Sequence, residues 1–156
     1  MRAIVQRVDS ASVTVDSNTV GTFSGPGLVC LIGVSVDDTI DVCAPMADKI
    51  WKLRIFSADE LRARNITVNA ETAEVSAADA RLPIMIISQF TLYADTSRGR
   101  RPTWQQAARG EQAEPIINEL TRALRDLGAH VETGKFGADM KITQTCDGPV
   151  TIMLEI

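Results

Sequence analysis

The sequence predicts a sheet-rich α/β domain with two substantial helices on one side of the sheet. Three observations lead there. Ala3 to Val8 and Ala11 to Val15 alternate apolar and polar side chains, as half-buried strands do. Leu28 to Val36 is almost wholly apolar and rich in branched side chains, which fits a central strand covered on both faces. Ile116, Leu120, Ala123, Leu124 and Leu127 form a helical stripe that Gly128 terminates. So few helices leave part of the sheet uncovered, and a second sheet layer or a partner chain must bury the rest.

The elements follow in chain order. Val5, Val13 and Val15 are the expected inward set of the first two strands. Ser17-Asn18 reads as a turn before a short strand through Val20 and Phe23, and Gly25-Pro26-Gly27 as a second turn. Asp38 is placed to cap a helix from Thr39, with Ile40, Ala47, Ile50 and Leu53 on its apolar face. Pro45 conflicts with an uninterrupted helix there, so the regular part starts near it or kinks. Ile66 to Val68 reads as a short strand, and Glu71 to Ala80 as loop or a helical turn. Ile84 to Tyr93 is the strongest strand signal. Asp95 to Pro102 is a polar, basic loop, and a helical region from Thr103 is broken around Gly110. Strands return at His130 to Thr133, Lys141 to Thr145 and Val150 to Ile156.

Composition narrows the function classes. The chain has 156 residues, the size of one domain, so residues 1–156 are expected to fold as a single unit without a metal or disulfide. Its net charge of -4 argues against general nucleic-acid coating, although a local basic patch is enough for one run of phosphates. The odd, scattered cysteines Cys30, Cys43 and Cys146 fit a reducing compartment. No signal region or membrane span is visible, so the expected location is cytoplasmic.

Familiar catalytic signatures are missing. The only histidine is His130, and no histidine–cysteine spacing suggests a zinc site. No phosphate-binding glycine loop or nucleophile elbow occurs. Neither a cofactor nor a metal is expected. An enzyme built this way would rely on backbone donors and substrate groups rather than a histidine relay.

Four segments carry chemistry. In Ser88-Gln89-Phe90-Thr91, polar side chains interrupt an apolar strand; the plain alternative is a strand leaving the core. Cys146-Asp147-Gly148-Pro149 is a hairpin corner or a rigid wall of a pocket. In Gly134 to Met140, two glycines flank Lys135-Phe136 and permit close backbone approach. Arg98, Arg100 and Arg101 form the densest basic cluster, a phosphate contact or a solvated loop.

In order and spacing these words resemble the D-aminoacyl-tRNA deacylase family of the bacterial and eukaryotic type. The match includes Met1 to Val8, Leu53-Arg54-Ile55-Phe56, Ser88 to Asp95, Gly99-Arg100-Arg101-Pro102, Gly134 to Met140 and Asp147 to Ile152. The resemblance implies a homodimer of mixed sheets in β/β/α layers. It implies hydrolysis of the ester in D-aminoacyl-tRNA, and of glycine on the wrong tRNA, with rejection of L-aminoacyl-tRNA. It places Ser88, Gln89, Phe90 and Thr91 on the floor of a pocket at the dimer interface. A Gly148-Pro149 corner of the other subunit, with a cis peptide and Arg7 fixing it, projects into that pocket. Phe136, Gly137 and Met140 correspond to residues near the terminal adenosine and the amino group. Cys146 stands where the family usually has Asn. Two other classes stay open on the residues alone: a small esterase or peptidase with Thr91 or Ser88 as nucleophile, and a non-catalytic RNA-binding domain.

Overall fold

The computed structural model describes all 156 residues. Strand β1 covers Arg2–Val15 and β2 covers Asn18–Gly33. They are joined by a tight turn in which Asp16 and Ser17 have φ of 48° and 66°. Positive φ at both positions gives a tight hairpin its matching twist. The turn lies one residue before the expected Ser17-Asn18.

A short 3-10 turn, Ile40–Val42, leads into helix α1 (Cys43–Trp51). Then come β3 (Arg54–Ser57), α2 (Ala58–Ala63), β4 (Glu74–Ser76), α3 (Ala77–Ala80) and β5 (Ile84–Ser88). A second 3-10 turn spans Phe90–Tyr93, followed by α4 (Gly110–Asp126), β6 (Val131–Thr133) and β7 (Lys141–Glu155). Five strands form one mixed sheet in the order β6-β5-β2-β1-β7, while β3 and β4 pair separately. β5 is parallel to β2 and β6, and β1 is antiparallel to β2 and β7.

Alternation along the strands sorts the core into two faces. Leu28, Cys30, Ile32, Ile84 and Ile86 pack with Met46, Ile50, Leu120 and Leu124 of α1 and α4. Val29, Met85 and Ile87 lie on the opposite face and meet Val8, Ala11, Val13 and Phe23 from the far half of the β1–β2 hairpin. The hairpin thus curls back over its own sheet, giving two sheet layers and one helix layer. Gly21 permits the crossing, since a Cβ there would fall 2.6 Å from the Thr133 carbonyl oxygen. Each of the buried Val, Leu, Ile, Phe and Met side chains among these contributes roughly 1.5–3 kcal/mol by leaving water.

Irregularities in β1 and β2 make the bend. Val8 pairs with Gly27 and Ser10 with Ser24, so Asp9 alone faces Gly25 and Pro26. The expected turn at Gly25-Pro26-Gly27 is therefore a bulge inside one strand, and the two expected N-terminal strands are a single bent one. The same holds at the other end. Lys141 to Thr145 and Val150 to Ile156 belong to one strand, with no hairpin corner at Asp147-Gly148.

Other expectations change for local reasons. The Asp38 carboxylate caps no helix; it accepts from the Ser35 N–H and the Met1 ammonium, both at 2.7 Å. Regular helix begins at Cys43, which leaves Pro45 in the first turn, where its missing N–H costs nothing. Ile40 is 55% exposed and falls off the apolar stripe, while Ala47 and Ile50 are fully buried. Ile66 to Val68 forms no strand. Residues 71–80 resolve into β4 and α3, the latter held by a reciprocal cap between Ser76 and Asp79. The expected strand Ile84 to Tyr93 stops at Ser88, where the backbone tightens into the 3-10 turn. No helix forms over 103–109; Gly110 starts α4 instead of breaking it. No helix is long and apolar enough to cross a membrane.

Candidate active site

The cleft forms where β5 ends. Parallel pairing with β2 carries the chain to Ser88, and the Gln89 N–H donates to the Ile32 carbonyl at 2.7 Å. The 3-10 turn then folds Phe90–Tyr93 tightly over the end of β2. Gly33 makes that approach possible. A Cβ at Gly33 would lie 2.9 Å from Leu92 Cβ and 3.1 Å from the Gln89 carbonyl oxygen. Gly33→Ala should therefore displace the Ser88–Phe90 floor and destabilise the fold by about 1–3 kcal/mol. Thermal unfolding together with a crystal structure of the variant would check this, and unchanged stability with an undisplaced floor would refute the close approach.

The opposite wall comes from the segment between β6 and β7. Gly134 lets Met140 fold back across it, since a Cβ at Gly134 would meet the Met140 Sδ at 2.5 Å. Gly137 has φ of 71°, a left-handed turn that favours glycine. Ser88, Gln89 and Phe90 from one side, and Phe136, Gly137 and Met140 from the other, line a single cavity of about 400 Å³. Gly110, Ala113 and Ile117 of α4 close its back. The sequence reading missed these three. Ala113 and Ile117 continue the apolar stripe by one more turn, but Gly110 had the look of a helix break. A second hollow of about 320 Å³ shares Ser88, Ile117 and Phe136 and adds the polar side chains of Asn118, Thr121 and Arg125.

No lining residue of the first cavity is ionisable. His130 is exposed, lines neither cavity, and its Nε2 lies 3.1 Å from the Glu132 carboxylate. Cys30 and Cys43 are buried. Burial pushes the Cys43 thiol up to about 11 and that of Cys30 further still, so neither supplies a thiolate at neutral pH. No cluster of histidine, cysteine or carboxylate side chains is arranged to hold a metal ion.

Thr91 lies outside the cavity and is exposed; its hydroxyl accepts a hydrogen bond from the Gln89 side-chain amide. Gly148, Pro149 and Arg7 do not line the cavity of their own chain. They form a separate feature on β7, an outer strand of the sheet. Gln6 pairs with Thr151 and Val8 with Cys146, so Arg7 alone faces the segment from Asp147 to Val150. That segment bulges out with a cis peptide between Gly148 and Pro149, both exposed. Gly148 has φ of 116°, and a Cβ there would fall 2.9 Å from the Val150 backbone nitrogen. Arg7 holds the bulge from beneath. Its Nη1 donates to the Ile55 carbonyl at 2.7 Å, and its Nε lies 2.9 Å from the Asp147 carboxylate and 3.4 Å from the Asp147 carbonyl. Cys146 receives the Gln144 side-chain amide at 3.3 Å.

The basic cluster stands on a narrow neck. Asp95 and Thr103 exchange backbone hydrogen bonds at 2.9 and 3.0 Å, and Arg98, Arg100 and Arg101 project between them, exposed. None of the three takes part in an ion pair.

Residues 4–155 match the family described as D-Tyr-tRNA(Tyr) deacylase. The chain belongs to this family. It is 47% identical to the D-aminoacyl-tRNA deacylase of Streptomyces coelicolor over the full length of both chains. It is 49% identical to that of Mycobacterium tuberculosis, covering 99% of each. Among solved structures, the c-Myc DNA unwinding element binding protein superposes with a TM-score of 0.85 at 35% identity, over 100% of this chain and 99% of the other. A probable eukaryotic D-amino acid tRNA deacylase has the same fold, with a TM-score of 0.80 at 17% identity over 99% and 98% of the two chains. The mixed α/β fold implied by the resemblance is the one this chain shares with both of these structures.

Proposed function

We infer that this chain, acting as one domain over residues 1–156, hydrolyses the ester of D-aminoacyl-tRNA to give free amino acid and tRNA. Family membership and deacylase relatives matched from end to end support this activity. The observation that carries the mechanism is a cleft formed by the family's two segments without a single ionisable side chain. An aminoacyl ester is already activated, so orienting a water and stabilising the developing oxyanion is enough. The Gln89 N–H is committed to Ile32, which leaves the N–H of Phe90, a residue that lines the cleft, as the oxyanion donor. The substrate's own terminal 2′-hydroxyl activates or positions the water. Phe136, Gly137 and Met140 take the terminal adenosine and the amino-group side. Arg98, Arg100 and Arg101 attract the tRNA phosphates.

The working unit in this reading is a homodimer. β7 leaves a long outer edge unpaired, a feature that folded proteins normally cover. Met153 is 63% exposed on it, and Ile156 just beyond is 40% exposed. The Gly148-Pro149 bulge of one protomer enters the cleft of its partner and reads chirality by exclusion. An L side chain meets the wall, a D side chain points away, and glycine passes.

A nucleophilic Thr91 is disfavoured, because its hydroxyl lies outside the cleft and no base accompanies it. The test is hydrolysis of matched D- and L-aminoacyl-tRNA, run beside sedimentation. The expected results are D-selective turnover and a species of twice 16.9 kDa. Equal rates on both enantiomers would overturn the chiral reading, and a fully active monomer would overturn the shared site.

A further inference from the structure

Two large aromatic side chains are exposed at the mouth of the cleft. Phe90 is 56% exposed and Trp104 is 39% exposed. They do not lie there independently. Their ring centroids are 5.2 Å apart with planes at 74°, an edge-to-face pair in the favoured range. Phe90 itself lines the cleft, so the pair continues the cleft wall outward. Trp104 directly follows the Asp95–Thr103 neck, whose loop carries Arg98, Arg100 and Arg101. The proposed deacylation uses the backbone of Phe90 and leaves both rings without a task.

Aromatic faces beside unpaired arginines are the means by which proteins hold single-stranded nucleic acid. The rings stack on bases, and the cations follow the backbone. Every tRNA offers such a strand, because its 3′ end is unpaired and the aminoacyl ester lies at its tip. A strand whose terminal adenosine enters the cleft must pass its preceding bases across the mouth. We propose that the Phe90–Trp104 pair is a stacking platform for a nucleobase of the unpaired 3′ strand, next to the terminal adenosine. Trp104 presents the stacking surface, and the arginine loop holds the adjoining phosphates. The proposal rests on the deacylase reading for the identity of the strand. The stacking chemistry rests on the exposed ring pair and its basic neighbour.

Tryptophan fluorescence tests this directly. The chain has two tryptophans, and Trp51 is buried at 5% exposure, so a ligand at the cleft mouth is reported by Trp104. An uncharged minihelix carrying the unpaired 3′ CCA strand should quench the emission. The same minihelix lacking those three nucleotides should not. Trp104→Ala should weaken binding of the intact minihelix about fivefold or more, with little effect on the truncated one, whereas Trp104→Phe should keep most of the affinity. Equal binding of the two minihelices, or unchanged affinity in Trp104→Ala, would overturn the proposal. So would Trp104 emission that follows protein dilution and ignores RNA, since the pair would then be a contact between protein chains. Hydrolysis of D-aminoacyl-tRNA by the unaltered chain is measured separately. Turnover with no role for Trp104 removes only the stacking platform. Binding through Trp104 without turnover removes only the deacylase reading.

Discussion

A D-aminoacyl-tRNA whose terminal adenosine lacks its 2′-hydroxyl, with the ester held on the 3′ oxygen, should be hydrolysed about 10²- to 10⁴-fold more slowly. That range is what a positioned proton-transfer group normally contributes. The cleft offers no acid or base of its own. Its walls are aliphatic, aromatic, glycine and neutral polar, and none of these side chains can accept a proton at neutral pH. Some group must nevertheless orient the attacking water, and the substrate brings a hydroxyl next to the reacting carbon. Thr91→Ala should by contrast slow the reaction less than about tenfold, since its exposed hydroxyl serves only to receive the Gln89 amide. Single-turnover rates with ordinary and 2′-deoxy substrates separate the two cases. If the deoxy substrate keeps its rate while Thr91→Ala abolishes turnover in a folded protein, substrate assistance is wrong and Thr91 is the nucleophile.

Much of this was legible in the sequence, and the failures share a cause. The apolar half of β2 from Leu28 and the stripe of α4 declare themselves, because a long apolar run and a repeated helical spacing each mark burial many times over. The segments Ser88 to Thr91 and Gly134 to Met140 were separately suspicious, and folding brings most of both into one cavity. Bends inside strands were misread. Gly25-Pro26-Gly27 and Asp147-Gly148-Pro149 carry turn residues, yet pairing with β1 continues on both sides of each. Local chemistry favours a turn there, and only the neighbouring strand makes it a bulge. The 57–82 region was opaque for another reason. Helices of six and four residues are too short for a stripe and are defined by the caps at Ser57 and Ser76. The Phe90–Trp104 pair could not be read at all, because a basic loop separates its two members in the chain.

Arg7→Ala should lower D-aminoacyl-tRNA hydrolysis about 10²-fold and reduce discrimination against the L substrate, while destabilising the fold by only about 1.5–3 kcal/mol. Arg7 does not line its own cleft, so a merely local reading would predict little effect on activity. Its position in the register argues otherwise. It is the one residue of β1 opposite the bulged segment of β7, and its guanidinium spans two strands, from the Ile55 carbonyl on β3 to Asp147 on β7. The side chain is 16% exposed, so water screens these contacts only partly. Removing it frees the Asp147 carboxylate and leaves the Ile55 carbonyl without its charged donor. The exposed Gly148-Pro149 segment then loses its support from below. A wall that excludes L side chains must hold its place within a fraction of an ångström, and a shift of about 1 Å is enough to cost two orders of magnitude in rate. Arg7→Lys should not restore function, because a single ammonium cannot reach both acceptors as the planar fork does. Thermal unfolding distinguishes a damaged fold from a displaced wall, and the ratio of D to L rates reports the wall alone. An Arg7→Ala protein as selective as the unaltered chain would remove the bulge from the site.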